Sequence, residues 1–355
     1  MTILDIKSLR EQIRKQIVNL YYVYGSDLLR VQQAVEFIRK AMGGTENLTK
    51  LDGQNLNLEQ LGDEIQLCPM FTEYNCIYIH DCNMDQLRES ERKNLLKILE
   101  EVPPQTVLLF DVTGFDIYGG KTGKNRKPVG QNQKLWNYID KNGLAICLDL
   151  KTVSQLTTEI ITTVKKRGCE MERPAAQLLA TYCNCDSLLI RNELDKLCSY
   201  LDTDPDTDMN TENQKITVEL IREMVVPSLE TTVYMLTNAI LRHKTADAMH
   251  VVDDLLARRL DMSYLMAVIA GSMIDMQRAC AARYENKTVQ DMMEDFGYAF
   301  RFMAERAFQD SMKQSPEQIA GCLQILCECE QKMHAGTADE RVLFEQAIIE
   351  MLGLS

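Results

Sequence analysis

The chain has 355 residues, of which 45% are hydrophobic and 26% charged, and its formal net charge at pH 7 is -13. This length and composition predict a soluble protein of two or three domains with enough chain to bury a core. The negative charge excludes a protein that coats nucleic acid by bulk attraction, because phosphate binding needs concentrated lysine and arginine, so any DNA contact must be local.

The cysteines and the hydropathy pattern indicate the compartment. The chain has 12 cysteines. The C-x-C pairs at Cys183 and Cys185 and at Cys327 and Cys329 lack the spacing and the partner pair of zinc sites, so we expect reduced, mostly buried thiols and no metal. No apolar run approaches the roughly 18 residues that cross a bilayer, and the chain does not begin with a signal-peptide core. These features predict a cytoplasmic protein without membrane contact.

Residues 1–149 show the pattern of an α/β domain with a parallel sheet. After a helical pattern at 1–18, a β-prone run at 20–24 leads into Gly25-Ser26-Asp27, where Ser26 or Asp27 can cap the next helix. Further short apolar runs alternate with helical patterns, one of them at 85–100, and complete a sheet of about five strands. These runs lie near residues 48–51, 76–81, 106–111 and 144–148.

The strand, glycine turn and helix at 20–42 are arranged as in nucleotide-binding proteins, but the phosphate-binding residues are missing. A P-loop that begins at Gly25 needs Gly, Lys and Ser or Thr at positions where this chain has Arg30, Val31 and Gln32. Without the lysine and the magnesium-binding hydroxyl, nothing holds a β- or γ-phosphate. The sequence therefore predicts a nucleotide-binding architecture that has no nucleotide and no other cofactor.

Asp81 follows a predicted strand at the position where an ATPase keeps its magnesium-binding acid. The next residue is Cys82 rather than a second carboxylate. Asp81 either caps the strand end or belongs to an active site, and acids at strand ends commonly do no chemistry. The four histidines have no recognisable nucleophile or carboxylate partner in the sequence, so they offer no support for an enzyme.

The segment 114–133 contains the most basic stretch of the chain. Gly120-Lys121-Thr122 looks like the end of a P-loop, but Gly114 is one residue too far upstream and Pro128 follows where a helix should start. We expect a mobile surface loop that is either simply solvated or in contact with a DNA phosphate backbone. Its basic residues are Lys121, Lys124, Arg126 and Lys127.

An apolar pair stands at an unusual place between residues 66 and 75. A helical pattern from Leu58 to Ile65 is stopped by Pro69, which excludes the helical conformation from the residue before it. Met70 and Phe71 follow at a corner, ahead of a polar turn at 72–75. They either fold back over the helix end or form an exposed anchor for a partner protein, in which a buried Phe dominates binding.

The chain after residue 150 reads as helical, and β signals nearly vanish. We expect three helices at 150–210, an acidic break at 202–208, a helix cap at Thr217, and five or six helices in 228–355. A methionine stripe that includes Met266 and Met273 indicates helix packing rather than a cofactor site. A helical region of this size without a catalytic cluster favours a role in assembly.

Several stretches, in this order and spacing over residues 20–260, resemble the family of delta subunits of the bacterial DNA polymerase III clamp loader. Each stretch is weak, but the ordered set is specific, and beyond residue 260 only the helical character agrees. The stretches are Tyr22-Val23-Tyr24-Gly25-Ser26-Asp27, Leu51-Asp52-Gly53, Pro69-Met70-Phe71, Pro104-Gln105-Thr106-Val107-Leu108-Leu109-Phe110, Lys134-Leu135, Lys141-Asn142-Gly143 and Asn192-Glu193-Leu194-Asp195-Lys196-Leu197.

The resemblance implies an AAA+-like (RecA-like) α/β domain at 1–149 without a functional ATP site, an all-α lid at 150–210 and an all-α collar for oligomerisation at 211–355. It also implies a hydrophobic wedge at Met70 and Phe71, with Gln66, that binds the sliding clamp and opens one interface. Leucine is common in the family where this chain has Met70, a volume-conserving change that should be tolerated. The other departure is the long loop at 114–133, whose purpose the resemblance leaves open.

The partners that the family implies are the sliding clamp, the delta-prime and gamma/tau subunits, and primer-template DNA in the assembled complex. Such a subunit does no bond chemistry of its own. The alternative is an enzyme, a divergent ATPase or nucleotide-dependent transferase that uses Asp81, Asp111 and the loop of Lys121 and Thr122. The alternative predicts saturable ATP binding by the isolated chain and loss of turnover when Lys121 is replaced.

Overall fold

The computed structural model forms two compact units. One consists of Met1–Lys151 with Asp186–Leu188, and the other of Thr152–Cys185 with Leu189–Ser355. The residues that the structure describes are 2–43, 48–69, 72–115, 117–118, 127–203, 215–298, 301–336 and 338–354.

The first unit is built on a parallel sheet of five strands, in the order β2-β3-β4-β1-β5. The strands are β1 (Leu20–Tyr24), β2 (Leu48–Asp52), β3 (Asn75–His80), β4 (Thr106–Val112) and β5 (Leu144–Cys147). The helices are α1 (Ile6–Lys15), α2 (Leu28–Ala41), α3 (Leu58–Ile65), α4 (Glu89–Glu100) and α5 (Asn132–Asn142).

Helices cover both faces of this sheet. In β1, Tyr22 and Tyr24 pack with α3, α4 and α5, while Tyr21 and Val23 pack with α1 and α2. All five residues of β1 are buried, as expected for a parallel strand that has helices on both sides. The predicted α/β fold with a parallel sheet is confirmed.

The structure corrects the predicted start of α4 and decides which residue caps α2. The helix predicted at 85–100 begins only at Glu89, because residues 83–86 form a turn in which the Asn83 carbonyl accepts from the Gln86 amide at 3.1 Å. Asp27 rather than Ser26 caps α2, since its carboxylate accepts from the Arg30 amide at 3.2 Å.

The second unit consists mostly of helices. Residues 153–203 form α6 (Val153–Lys166), α7 (Arg173–Tyr182) and α8 (Ser187–Thr203), the last beginning in the first unit. The following helices are α9 (Val218–Met224), α10 (Leu229–Leu241), α11 (Thr245–Ala257), α12 (Met262–Tyr284), α13 (Val289–Phe296), α14 (Arg301–Asp310), α15 (Pro316–His334) and α16 (Glu340–Leu352). Thr217 caps α9 as predicted, by accepting from the Leu220 amide.

The sequence reading missed a small element and undercounted the helices in this unit. Two short parallel strands, β6 (Glu170–Met171) and β7 (Lys215–Ile216), pair with each other. Two residues per strand are too few for a period-2 pattern to show in the sequence. In the described part of 228–355 the structure has seven α-helices, α10 to α16, rather than five or six.

The side chains that were expected to pack do so. Met266 and Met273 lie in the core formed by α10, α11, α12, α15 and α16, which confirms the packing role of the methionine stripe. Ten of the 12 cysteines are buried, and the exposed two are Cys68 and Cys327. None of the described helices is both long and apolar enough to cross a membrane.

Candidate functional site

The segment that links α3 to β3, residues 66–74, is here called the α3–β3 corner. Gln66 is the C-cap of α3, and the side chains of Gln66, Leu67 and Cys68 are exposed. Leu67 has 57% of its surface exposed, which is unusual for a large apolar residue. Of the predicted site, Met70 and Phe71 lie outside the described residues, so the structure places only the chain on either side of them.

Helix α3 is short and is fixed at both ends. Its N-cap Asn57 accepts from the amides of Glu59 and Gln60, and its apolar residues Leu61 and Ile65 are buried against the sheet. At the other end, the Gln66 amide donates to the Asp63 carbonyl at 3.1 Å, so the last turn is tightened as helix ends often are. The corner therefore begins at a defined point on the sheet.

Two strand residues bond the carbonyls at the end of α3. Asn75 Nδ2 donates to the Glu64 carbonyl at 3.0 Å and to the Leu67 carbonyl at 3.3 Å, and Thr106 Oγ1 donates to the Ile65 carbonyl at 3.0 Å. Asn75 was expected in a polar turn at 72–75, but it is the buried first residue of β3. Its side chain is a donor at a helix end rather than a solvated turn group.

The far side of the corner also packs on the domain. The Thr72 hydroxyl donates to the Tyr74 carbonyl at 2.7 Å. Gly43 follows α2 with φ +103°, and a Cβ at that position would lie 2.7 Å from Thr72 Cγ2. Both residues that flank Met70 and Phe71, Pro69 and Thr72, are therefore only partly exposed.

A cluster of one histidine and two carboxylates lies at the opposite, carboxyl edge of the sheet. His80 Nδ1 is 2.8 Å from Asp111 Oδ1, and His80 Nε2 is 3.2 Å from Asp81 Oδ2. The expectation that no histidine has a carboxylate partner was wrong for His80, because its second partner is 31 residues away in sequence and meets it only through pairing of β3 with β4.

Asp81 holds the loop that follows β4. Its Oδ1 accepts from the amides of Thr113 at 2.7 Å and Gly114 at 2.9 Å, and its φ of +57° directs the carboxylate to them. These two hydrogen bonds agree with the interpretation of Asp81 as a structural acid at a strand end. Both oxygens of Asp81 are engaged by groups of the chain itself.

The environment raises the pKa of two groups in this cluster, Asp111 and His80. Burial raises the pKa of Asp111 above its usual range, although the hydrogen bond and charge of His80 oppose this. Partial burial lowers the pKa of His80, but the hydrogen bond to Asp111 and the charges of Asp111 and Asp81 outweigh it, so the net pKa is raised. When His80 is protonated, its imidazolium compensates two buried carboxylates.

The place of a P-loop, after β1, is occupied by bonds within the chain. Ser26 donates to Asp149 Oδ1 through its amide at 3.2 Å and its hydroxyl at 3.3 Å, and the Tyr118 hydroxyl donates to the same oxygen at 2.9 Å. Arg30 Nη1 donates to the Asp149 carbonyl at 3.4 Å. Asp149, which sequence reasoning did not single out, accepts three hydrogen bonds through one oxygen beside the turn that follows β1.

The basic loop is described only in part. Lys121, Lys124 and Arg126 lie outside the described residues, together with Thr122. The Lys127 ammonium lies 4.7 Å from the centroid of the Trp136 ring, a cation–π contact on α5. Within the described parts of the chain, no group of His, Cys, Asp and Glu is placed to hold a metal ion.

Known proteins resemble the chain over nearly its whole length. The Bacillus subtilis (strain 168) DNA polymerase III subunit delta is 20% identical over 350 residues, which cover 94% of this chain and 92% of the relative. The solved structure of the Bacillus subtilis DNA clamp loader delta protein has the same fold, with a TM-score of 0.67 and 18% identity over 98% of each chain.

Two sequence profiles match the two ends of the chain. The profile described as DNA polymerase III, delta subunit, matches residues 21–116, which contain β2 to β4, the α3–β3 corner and all of β1 except Leu20. The profile described as DNA polymerase III delta subunit, C-terminal domain, matches residues 230–351, which contain α11 to α15 and all but one terminal residue of α10 and of α16. The chain belongs to the DNA polymerase III delta subunit family.

Proposed function

We propose that the protein binds the sliding clamp through the α3–β3 corner and opens one interface of the clamp ring, so that the ring can be loaded on primed DNA. The observation that carries this proposal is an exposed Gln66 and Leu67 next to Met70 and Phe71, at the end of a helix capped by buried side chains. Exposed apolar side chains on a rigid support are typical anchors of a protein interface.

Opening a ring needs differential binding and no bond chemistry. A ligand shifts an equilibrium only by its difference in affinity for the two states, so the corner must bind the open or strained clamp more tightly than the closed one. A corner fixed to the sheet can hold that strained geometry, whereas a mobile segment would follow the clamp as it closes. Clamp binding and opening by this chain thus require a rigid support.

The same proposal assigns no ATP hydrolysis to this subunit. Asp81 and Asp111, the acids of the alternative enzyme hypothesis, are engaged by His80 and by loop amides, and Asp149 bonds Ser26 beside the former P-loop position. No contact of the described residues favours the ATPase or transferase over a non-catalytic subunit. ATP-dependent control then comes from the neighbouring gamma/tau subunits.

The rest of the chain provides assembly in this proposal. Residues 1–149 form the AAA+-like domain, 150–210 the lid and 211–355 the collar that joins delta-prime and gamma/tau in a cytoplasmic replication complex. In that complex we assign to Lys121, Lys124, Arg126 and Lys127 a contact with the backbone of primer-template DNA, which salt would weaken.

The decisive experiment measures clamp affinity of the purified chain by titration calorimetry, with and without ATP. The double variant Met70→Ala and Phe71→Ala is expected to lose at least about 2 kcal/mol of binding free energy, roughly thirtyfold in Kd, as interface anchors do. The control Val342→Ala with Ile349→Ala removes two exposed apolar side chains of α16, which are 55% and 59% exposed, and should bind as the unaltered chain does.

Both double variants must keep the circular dichroism spectrum and melting temperature of the unaltered chain. Unchanged clamp affinity of a folded Met70→Ala, Phe71→Ala variant would reject the corner as the binding site. Heat release on mixing the chain with ATP alone would instead support the enzyme hypothesis.

A further inference from the structure

The α3–β3 corner is held by side chains from two neighbouring strands. The last carbonyls of an α-helix have no partner within the helix, and most helices leave them to water, to a glycine cap or to a tightened turn. In α3 the carbonyl of Ile65 accepts from Thr106, and the carbonyl of Glu64 accepts from Asn75 in addition to the Leu67 amide. Asn75 reaches one step further, to the Leu67 carbonyl inside the corner.

The two donors form a single structural unit. Asn75 and Thr106 are the first residues of β3 and β4 and are direct partners in the register of these parallel strands. Their backbones are also joined, because the Asn75 amide donates to the Gln105 carbonyl at 2.8 Å. The pair therefore presents two side-chain donors to one helix end from two paired strands of the sheet.

Polar side chains at these positions are costly unless they are bonded. Asn75 is 7% exposed and Thr106 is fully buried. Asparagine is depleted in strands, and a buried amide or hydroxyl without a partner destabilises a fold. Apolar side chains would suit the starts of two buried strands, but they could not bond the backbone of the corner.

We propose that Asn75 and Thr106 are positioning residues of the clamp-binding site, which fix the backbone at 64–67 where the corner begins. This inference rests on the proposed function. An anchor on a fixed backbone binds more tightly than the same anchor on a loose one, because less conformational freedom is lost on binding. The side chains of the pair bond the described part of this segment through these carbonyls, and they need no contact with the clamp itself.

The test uses the full chain and isosteric or small replacements with matched controls. Thr106→Val removes one hydroxyl, and its control Thr49→Val removes a hydroxyl that bonds the Glu64 side chain, 3.1 Å away, rather than the helix carbonyl. Asn75→Ala removes the amide, and its control Asn132→Ala removes an equally buried asparagine at the carboxyl edge of the sheet. Clamp Kd, melting temperature and amide hydrogen exchange at residues 66–68 are measured for all four.

We expect Asn75→Ala to raise the clamp Kd about tenfold and Thr106→Val about threefold, in proportion to the hydrogen bonds lost, with less than about twofold for either control. Exchange at residues 66–68 should accelerate in both corner variants and stay unchanged in the controls. Loss of stability alone would lower the melting temperature of all four variants without separating them in Kd or in local exchange.

The outcomes separate this inference from the proposed function. If Met70→Ala with Phe71→Ala abolishes clamp binding while the corner variants bind and exchange like their controls, the function stands and the positioning role falls. If the unaltered chain binds no clamp, the proposed function falls. The inference falls with it, because faster exchange in the corner variants would then show a structural role for Asn75 and Thr106 but no role in clamp binding.

Discussion

His80 Nδ1 lies 2.8 Å from the carboxylate of Asp111, an acid that the fold buries almost completely. The imidazole is half exposed and bridges to Asp81 on its other side. A buried carboxylate is costly unless a cation compensates it, and in this cluster the only such group described is a titratable one. The stability of the first unit must therefore depend on pH.

The net pKa of His80 is raised in the folded chain above the unfolded value of about 6.5. Its contribution to stability is therefore fully present below the unfolded pKa and is lost as pH rises through the folded pKa. We expect the urea midpoint of the unaltered chain to fall over this range and the midpoint of His80→Gln to change less. Denaturation curves at half-unit pH steps measure both.

The control His250→Gln, at an exposed position of α11, should keep the dependence of the urea midpoint on pH that the unaltered chain shows. The same dependence in His80→Gln would contradict the assignment of this effect to His80.

Two glycines of the first unit should respond in opposite directions to alanine. Gly25 has φ +144°, and a Cβ would lie 2.2 Å from the Leu148 carbonyl oxygen, so Gly25→Ala should cost at least about 2 kcal/mol of unfolding free energy. Gly62 lies within α3, and nothing lies within 4 Å of an added Cβ, so Gly62→Ala should add roughly 0.5 to 1 kcal/mol. Chemical denaturation of both variants checks the signs. A neutral Gly25→Ala would show that the turn after β1 can move away from β5.

In the first unit, the sequence predicts the helices and strands better than it predicts the side-chain contacts between them. Strand β1, the glycine turn and the end of α3 near Pro69 follow from local chemistry, and the structure has all three. The partnership of Asn75 with Thr106 depends on strand order and register, which no local pattern contains. The one local signal is Asn75, a polar residue at the start of an otherwise apolar strand, and in the sequence it cannot be told from the polar turn that precedes it.

Lys127 is the member of the basic loop for which the structure gives a local contact. Because its ammonium lies over Trp136, Lys127→Gln should lower the unfolding free energy by at most about 1 kcal/mol, and Lys127→Arg should retain most of it. Trp136 is the single tryptophan of the chain, so its fluorescence during urea unfolding reports on this contact directly. Identical fluorescence and midpoints in the Gln variant would show that the ring does not need the cation.

If Lys127 also contacts DNA in the assembled complex, the Gln variant should reduce the salt dependence of DNA binding as well.

Substitutions of Asp81 test whether its carboxylate has a structural role or a catalytic one. Its left-handed backbone and its two bonds to the amides of Thr113 and Gly114 predict that Asp81→Ala costs at least about 2 kcal/mol, since it strands two donors and places alanine at φ +57°. Asp81→Asn keeps the accepting oxygen and tolerates this backbone, so it should lose much less. Denaturation curves, together with amide exchange at residues 113 and 114, measure the difference.

The comparison of these two variants also bears on the alternative enzyme. A magnesium-binding or catalytic acid loses its activity when it becomes an amide, whereas an acceptor of loop amides does not. Asp81→Asn should therefore leave clamp binding and loading by the assembled complex unchanged, while Asp81→Ala should weaken loading only as far as it destabilises the chain. A folded Asp81→Asn variant that is stable but inactive in loading would show that the carboxylate charge itself does work at the carboxyl edge of the sheet.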